Sequence, residues 1–207
     1  MRKFILLVGS ALIFLTSSFY SNTHTEVSVP NSLKINKEFF YGVGDTHPES
    51  GTFTPYLSTG YIAFKEAIGF KESQGDYSRV NTLGYMGKYQ FGKATLNLFG
   101  VEDHQCFLND PAFQERVFNH NTSRNKWVLR NYINFYSGRV IGGVEITESG
   151  ILAAAHLAGP GNVKKFLISW GKEDFKDAYG TSVSNYMKKF AGYDVSMVEM
   201  RKDPKLI

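Results

Sequence analysis

Glu72 and Ser73 stand together where an apolar helical pattern breaks, and Gln90 follows Glu72 by eighteen positions. Ile62, Ala63, Ala67 and Ile68 recur at spacings that give one apolar face to a helix beginning near residues 56–60 and ending near Ser73-Gln74-Gly75. A carboxyl group at that end is expected to lie against the apolar face and at the negative end of the helix dipole. Both surroundings favour the neutral, proton-donating form, and a neutral carboxyl is the general acid that a leaving oxygen needs. Lys71 beside it fits a plainer alternative, a solvated glutamate in a charged helix end, and position alone favours that alternative.

A second carboxylate would change the chemistry, because ordinary glycoside hydrolysis uses two. Asp76 is the nearest candidate, but its place in a loop suits a turn former. Glu66 precedes Glu72 by six positions and falls on a different helical face, and Glu145 and Glu148 are remote in sequence. A single acid is therefore expected. No His, Cys or carboxylate cluster has the spacing of metal ligands, and His24 and His47 stand apart without partners. The glycines at 159–161 are not followed by Gly-Lys-Ser/Thr. No metal and no cofactor is expected.

The elements that must position these groups are mostly helical. Residues 76–90 read as a loop, with room for a short β-hairpin, because Asn81, Gly84 and Gly87 alternate with Tyr77, Val80, Leu83, Tyr85, Met86 and Tyr89. Lys93 to Phe99 is a short helix candidate. Asp110-Pro111 is a strong helix start, with Asp as N-cap and Pro in the first turn. Phe113, Val117, Trp127, Val128, Tyr132, Ile133 and Phe135 make the following helix long and core-forming, with its end at Gly142-Gly143. Further helices are predicted from Thr147 to Leu157, stopped sharply by Gly159-Pro160, then from Asn162 to Trp170 and from Ser182 to Phe190. Gly84, Gly87 and Gly159 are expected to permit positive φ or close backbone approach.

The N-terminus reads as a secretory signal. Arg2 and Lys3 precede an apolar run from Phe4 to about Leu15, and small polar residues follow. That run is short for a bilayer span, so an uncleaved anchor is the lesser alternative. The chain carries a net charge of +4, and about +2 remains once the signal is removed, too little to suggest a nucleic-acid partner. Cys106 is the only cysteine, so no internal disulfide can form, and it is expected to be a small buried hydrophobe. The expected organisation is a signal peptide over 1–21, a polar linker over 22–52, one domain over 53–194 and a tail over 195–207.

Four segments in order carry a family likeness: Glu72-Ser73-Gln74-Gly75, the stretch Gly84-Tyr85-Met86-Gly87-Lys88-Tyr89-Gln90, the run Ala153-Ala154-Ala155-His156-Leu157-Ala158-Gly159-Pro160-Gly161, and Asn185-Tyr186-Met187. This order and spacing resemble the soluble lytic transglycosylase (SLT) family of the lysozyme superfamily, over roughly residues 61–192. The resemblance implies a mainly α, lysozyme-like (α+β) domain with a small irregular loop or β-hairpin region. It implies that Glu72 cuts the bond between N-acetylmuramic acid and N-acetylglucosamine in peptidoglycan. The substrate's N-acetyl group would assist departure, and Glu72 would then act as base while O6 closes a 1,6-anhydro ring. It implies a groove formed by Ser73, Tyr89, Gln90, His156, Gly159 and Tyr186. There Gln90 would donate to or accept from the sugar, and the Tyr186 hydroxyl would bond the acid or the N-acetyl group; Tyr179 competes for that role. A structural amide and a core aromatic are the alternatives for Gln90 and Tyr186.

The chain departs from the family pattern in two places. His156-Leu157 stands where Tyr-Asn is usual, so His156 is either a polar substitute or a hydrogen-bonded core histidine. The span 101–143 is longer than in compact members and is expected to hold an insertion or an extra helix. Because the resemblance implies a bacterial wall enzyme, the Asn121-Thr122-Ser123 sequon carries no weight. A hydrolytic muramidase on the same fold, or a wall-binding protein without catalysis, are the competing readings. An envelope protein docked on the insertion is a further partner to consider.

Overall fold

A computed structural model describes residues 59–203 and 206. The expected signal peptide, the linker, His24 and His47 lie outside the described residues. What is described is mainly helical, with one small antiparallel sheet. In chain order the elements are α1 (Tyr61–Ser73), α2 (Lys93–Leu98), α3 (His104–Asn109), α4 (Pro111–Tyr136), β1 (Val140–Ile141), β2 (Val144–Glu145), α5 (Glu148–Ile168) and α6 (Val183–Lys189).

Local signals explain most of the boundaries. The α1 helix stops because Gln74 turns left-handed at φ 63°, and the backbone N–H of Gly75 bonds back to the Gly69 carbonyl at 3.1 Å. Its buried face is Tyr61, Phe64 and Ile68, while the Ile62 side chain is exposed, so the apolar stripe runs one position off the expected one. Asp110 caps α4 through the Phe113 N–H at 2.8 Å, with Pro111 in the first turn. Ser182 caps α6 through Asn185 N–H at 3.1 Å. Within the span expected to hold an insertion or an extra helix, α3 is capped by Asp103, which accepts from the Gln105 and Cys106 N–H groups. The Cys106 side chain is exposed rather than buried.

Two expectations change at glycines and one holds. The α4 helix ends at Tyr136, and Gly142-Gly143 instead forms the two-residue turn between β1 and β2. Both glycines have positive φ (58° and 78°), as the favoured two-residue hairpin turns require. Val140 pairs with Glu145 and Ile141 with Val144, which turns Ile141 and Val144 inward. The hairpin therefore lies at 140–145; the 76–91 loop has only isolated bridges, Val80 with Met86 and Met86 with Phe91. At Gly159 (φ 77°, ψ 156°) the first helical segment stops as expected, and across this kink Pro160 begins a second segment that runs on to Ile168.

The core joins α1, α4, α5 and α6 around Phe64, Phe118, Phe166, Tyr186 and Phe190. Residues 195–201, read as a tail, belong to this body. Val195 and Val198 are buried, Lys126 on α4 donates to the Val195 carbonyl at 3.0 Å, and Ser123 donates to the Glu199 carbonyl at 2.5 Å.

The 76–91 loop is held by charge. Lys88 is only 3% exposed, yet its ammonium lies 2.6 Å from Glu66 and 3.0 Å from Glu115, and donates to the Tyr77 hydroxyl at 3.2 Å. Glu115 on α4 also meets Lys65 at 2.5 Å and accepts from Tyr77 and Tyr89 at 2.9 and 2.8 Å. Its neighbour Gln114, fully buried, accepts from the Lys88 N–H at 2.9 Å and donates to the Tyr77 and Phe107 carbonyls. Gly87 is pressed against the same amide, where a Cβ would collide.

Burial pushes the Glu115 carboxyl up, but the hydrogen bonds from Lys65, Tyr89, Lys88 and Tyr77 outweigh it and hold it at about 2. A depressed carboxyl stabilises the fold above its unfolded value and loses that contribution as pH falls toward about 2. Stability is therefore expected to fall between about pH 4.5 and 2 in acid titrations followed by circular dichroism. Glu115→Gln should flatten that limb and lower stability at neutral pH by about 3 kcal/mol, near the lower end for breaking a buried pair because Lys88 keeps Glu66. An unchanged acid limb in Glu115→Gln would show that Glu115 does not carry it.

Candidate active site

A cleft of about 420 Å³ opens where the end of α1, the 81–92 loop, one face of α4, the α5 kink and the 175–179 segment meet. Its size suits a small-molecule or sugar site. Glu72, Gln90, His156 and Gly159 all line it. Residues of three of the four sequence motifs, spread over nearly ninety positions, meet at one place.

Glu72 is half-buried in the last turn of α1. The Tyr186 hydroxyl, delivered from α6, donates to its Oε1. Burial raises the Tyr186 hydroxyl well above the usual phenol range, and the Glu72 charge and the hydrogen bond to it add to this. Tyr186 is thus a fixed donor on the carboxyl. Tyr179, the competitor, is exposed at the rim with its hydroxyl 3.4 Å from that of Thr82.

His156 resolves into both of its alternatives at once. Its ring packs edge-on to Phe91 at 5.3 Å, and its Nε2 lies 2.8 Å from the Tyr89 carbonyl. A carbonyl only accepts, so Nε2 carries the proton. Burial pulls the ring below the usual imidazole range, against the opposing pull of Glu72 and of the Tyr89 carbonyl. The neutral ring leaves Nδ1 as a buried acceptor with no hydrogen-bond partner among the described residues. Next to it Leu157 also lines the cleft.

Gln90 sits at a left-handed φ of 49°. Its amide nitrogen donates to the Gly87 and Arg79 carbonyls at 2.9 and 3.3 Å, so only the oxygen is left for a ligand, as an acceptor. Gly159 contributes conformation rather than contacts: nothing lies within 4 Å of where a Cβ would be, and the positive φ is what requires glycine.

Two expected groove residues face elsewhere. Ser73 is buried at 2% exposure and donates to the Lys88 carbonyl at 2.8 Å, tying the end of α1 to the loop. Tyr89 is fully buried, stacked on Phe118 at 4.0 Å, with its hydroxyl on Glu115. Both position the site without reaching the cleft.

The cleft also contains residues that sequence reasoning passed over. Asn121, Arg124 and Asn125 line it from α4, and Asp177 lines it from the segment before α6. The i, i+3, i+4 spacing of 121, 124 and 125 was the available signal, obscured by reading Asn121 only as a sequon. Asp76, the expected second-carboxylate candidate, instead caps its own turn, accepting from the Ser78 N–H at 2.8 Å and hydroxyl at 2.7 Å. Among the described residues no group of three or more His, Cys, Asp or Glu could hold a metal ion.

No family model, curated protein or solved structure matches this chain.

Ser73→Ala should cost about 1–3 kcal/mol in a urea melt, because the buried Lys88 carbonyl loses its partner. An undiminished melt would argue that the hydroxyl has no structural role.

Proposed function

We propose that this protein is an exported, lysozyme-like enzyme that cleaves the glycan strands of peptidoglycan as a lytic transglycosylase, with Glu72 as its single general acid and base. The observation that carries this reading is Glu72 lining the cleft with the Tyr186 hydroxyl on its carboxyl. The family resemblance of the four motifs supplies the substrate class.

In the proposed reaction Glu72 gives its proton to the glycosidic oxygen as the C1–O bond of N-acetylmuramic acid breaks. The carbonyl oxygen of the neighbouring N-acetyl group bonds to C1 and holds the developing positive charge. The O6 hydroxyl then attacks C1, the N-acetyl oxygen departs, and the Glu72 carboxylate takes the O6 proton. The acid is restored and a 1,6-anhydro end results. Tyr186 orients the carboxyl through both stages. The Gln90 oxygen offers an acceptor to substrate N–H and O–H groups, and His156 holds the loop beneath it through the Tyr89 carbonyl.

A specific feature favours hydrolysis as the second reading. Asp177 lines the same cleft, and one of its oxygens, Oδ1, accepts from the Tyr179 and Thr181 N–H groups at 2.9 and 2.7 Å. The other oxygen is free to serve a water, as a second carboxylate does in a hydrolase.

Mass spectrometry of the fragments released from sacculi separates the two. The lyase reading expects anhydromuramyl ends, one water lighter than reducing ends. Glu72→Gln should lower release by about 10²–10⁴. Tyr186→Phe should lower it about 10–100-fold, the worth of one hydrogen bond to a charged group. Asp177→Asn should leave product identity and most of the rate intact. Reducing ends that vanish in Asp177→Asn would establish the hydrolase instead, and full activity in Glu72→Gln would sink both.

A further inference from the structure

The α4 wall of the cleft has polar groups that the fold leaves unused. Asn121 and Asn125 are 7% and 2% exposed, one helical turn apart, and Arg124 lies beside them on the same face. Among the described residues none of these three side chains makes a hydrogen bond or an ion pair with the protein. Both amides open onto the cleft rather than into the closed interior, so water meets them there and a ligand can replace it. Two on one stripe, both facing a cleft, point to a ligand that completes them. Arg124 adds a planar, permanently charged donor fork that matches a carboxylate. Glu72 and Asp177 line the same cleft, yet neither pairs with it. Leu157, on the α5 side, cannot hydrogen-bond.

We propose that Asn121, Arg124 and Asn125 form the subsite for a sugar bearing both an acetamido group and a carboxylate, the amides taking the acetamido group and Arg124 the carboxylate. This rests on the glycan-cleaving reading and deepens it, because it makes the cleft selective for acidic over neutral N-acetylated strands. An amide presents one donor and one acceptor, which a carboxamide side chain complements in both directions. The carboxylate comes either from the sugar's own ether substituent or from a peptide attached to it.

Binding to full-length Glu72→Gln protein, followed by calorimetry, tests this without cleavage. The ligands are a peptide-free muramyl–glucosaminyl tetrasaccharide, the same glycan with its carboxylates converted to methylamides, and a neutral N-acetylglucosamine tetramer. The acidic glycan should bind about tenfold more tightly than the other two. Adding Arg124→Gln should erase that preference while neutral affinity stays within about twofold, and Arg124→Lys should keep part of it, since charge survives but the fork does not. Adding Asn125→Ala instead should weaken every acetylated glycan about tenfold and leave N-deacetylated ones unchanged. The peptide-free glycan carries only the sugar's own ether carboxylate, which a peptide-bearing strand has tied up as an amide. A preference kept on that strand shows that a peptide carboxylate fills the subsite as well, and its loss confines the subsite to the ether carboxylate. Equal affinity for acidic and neutral glycans, or a preference that survives Arg124→Gln, overturns the subsite and leaves the glycan reading standing. Binding of no glycan at all overturns both.

Discussion

Everything around the cleft depends on neutralising one buried ammonium. Lys88 sits almost out of solvent in the middle of a loop with no sheet or helix of its own. A charge in that position is tolerable only with close partners, because desolvation alone would cost several kcal/mol per ion. Its partners come from two helices, Glu66 on α1 and Glu115 on α4. The ion pairs cannot form unless α1, the loop and α4 are held in one arrangement. The burial of Lys88 is therefore as much a demand for registry as a source of stability, and Gln114 enforces the same registry through the backbone at Lys88 and Tyr77.

That constraint reaches the candidate acid in two short steps. Ser73 fastens the last turn of α1 to the Lys88 carbonyl, and Glu72 precedes it on the same turn. The side of the turn bearing Ser73 faces the loop, so Glu72 is turned toward the cleft. The acid is then held from the far side by Tyr186 on α6, a helix packed closely on α5. Three remote stretches of chain thus fix one carboxyl, and none of the residues responsible for the first two steps touches the cleft.

The sequence was most legible where a single local rule decides the structure. Asp110 and Ser182 are caps whose side chains accept from the N–H three residues on, and they marked the starts of α4 and α6 correctly. The failures occurred where tertiary context decides between two local meanings. Gly142-Gly143 is equally a helix stop and a hairpin turn, and only the pairing of Ile141 with Val144 selects the turn. Gly159-Pro160, by contrast, ends one helical segment as its local chemistry indicates, and Val163, Phe166 and Leu167 continue the buried face in the segment beyond it. In the site, Glu72, Gln90, His156 and Tyr186 were legible through motif order. Ser73 and Tyr89 were adjacent to that signal but point inward, since consecutive residues on a helix end or loop face different ways. Arg124 and Asp177 belong to no motif, and only the folded chain puts them in the cleft.

The two sides of the cleft divide the polar work unequally. On the α5 and α6 side the polar atoms are already fixed: Tyr186 holds Glu72, and His156 holds the Tyr89 carbonyl and keeps one bare acceptor. Such groups are pre-organised, so they need little rearrangement when charge develops on a bound molecule. On the α4 side Asn121, Arg124 and Asn125 are uncommitted and keep their hydrogen-bonding capacity for a ligand. A wall that is satisfied before binding suits chemistry, whereas a wall that is satisfied only by binding suits selection. The long α4 helix spans both, since Glu115 near its start anchors the loop that bears Gln90 while its next turns line the cleft.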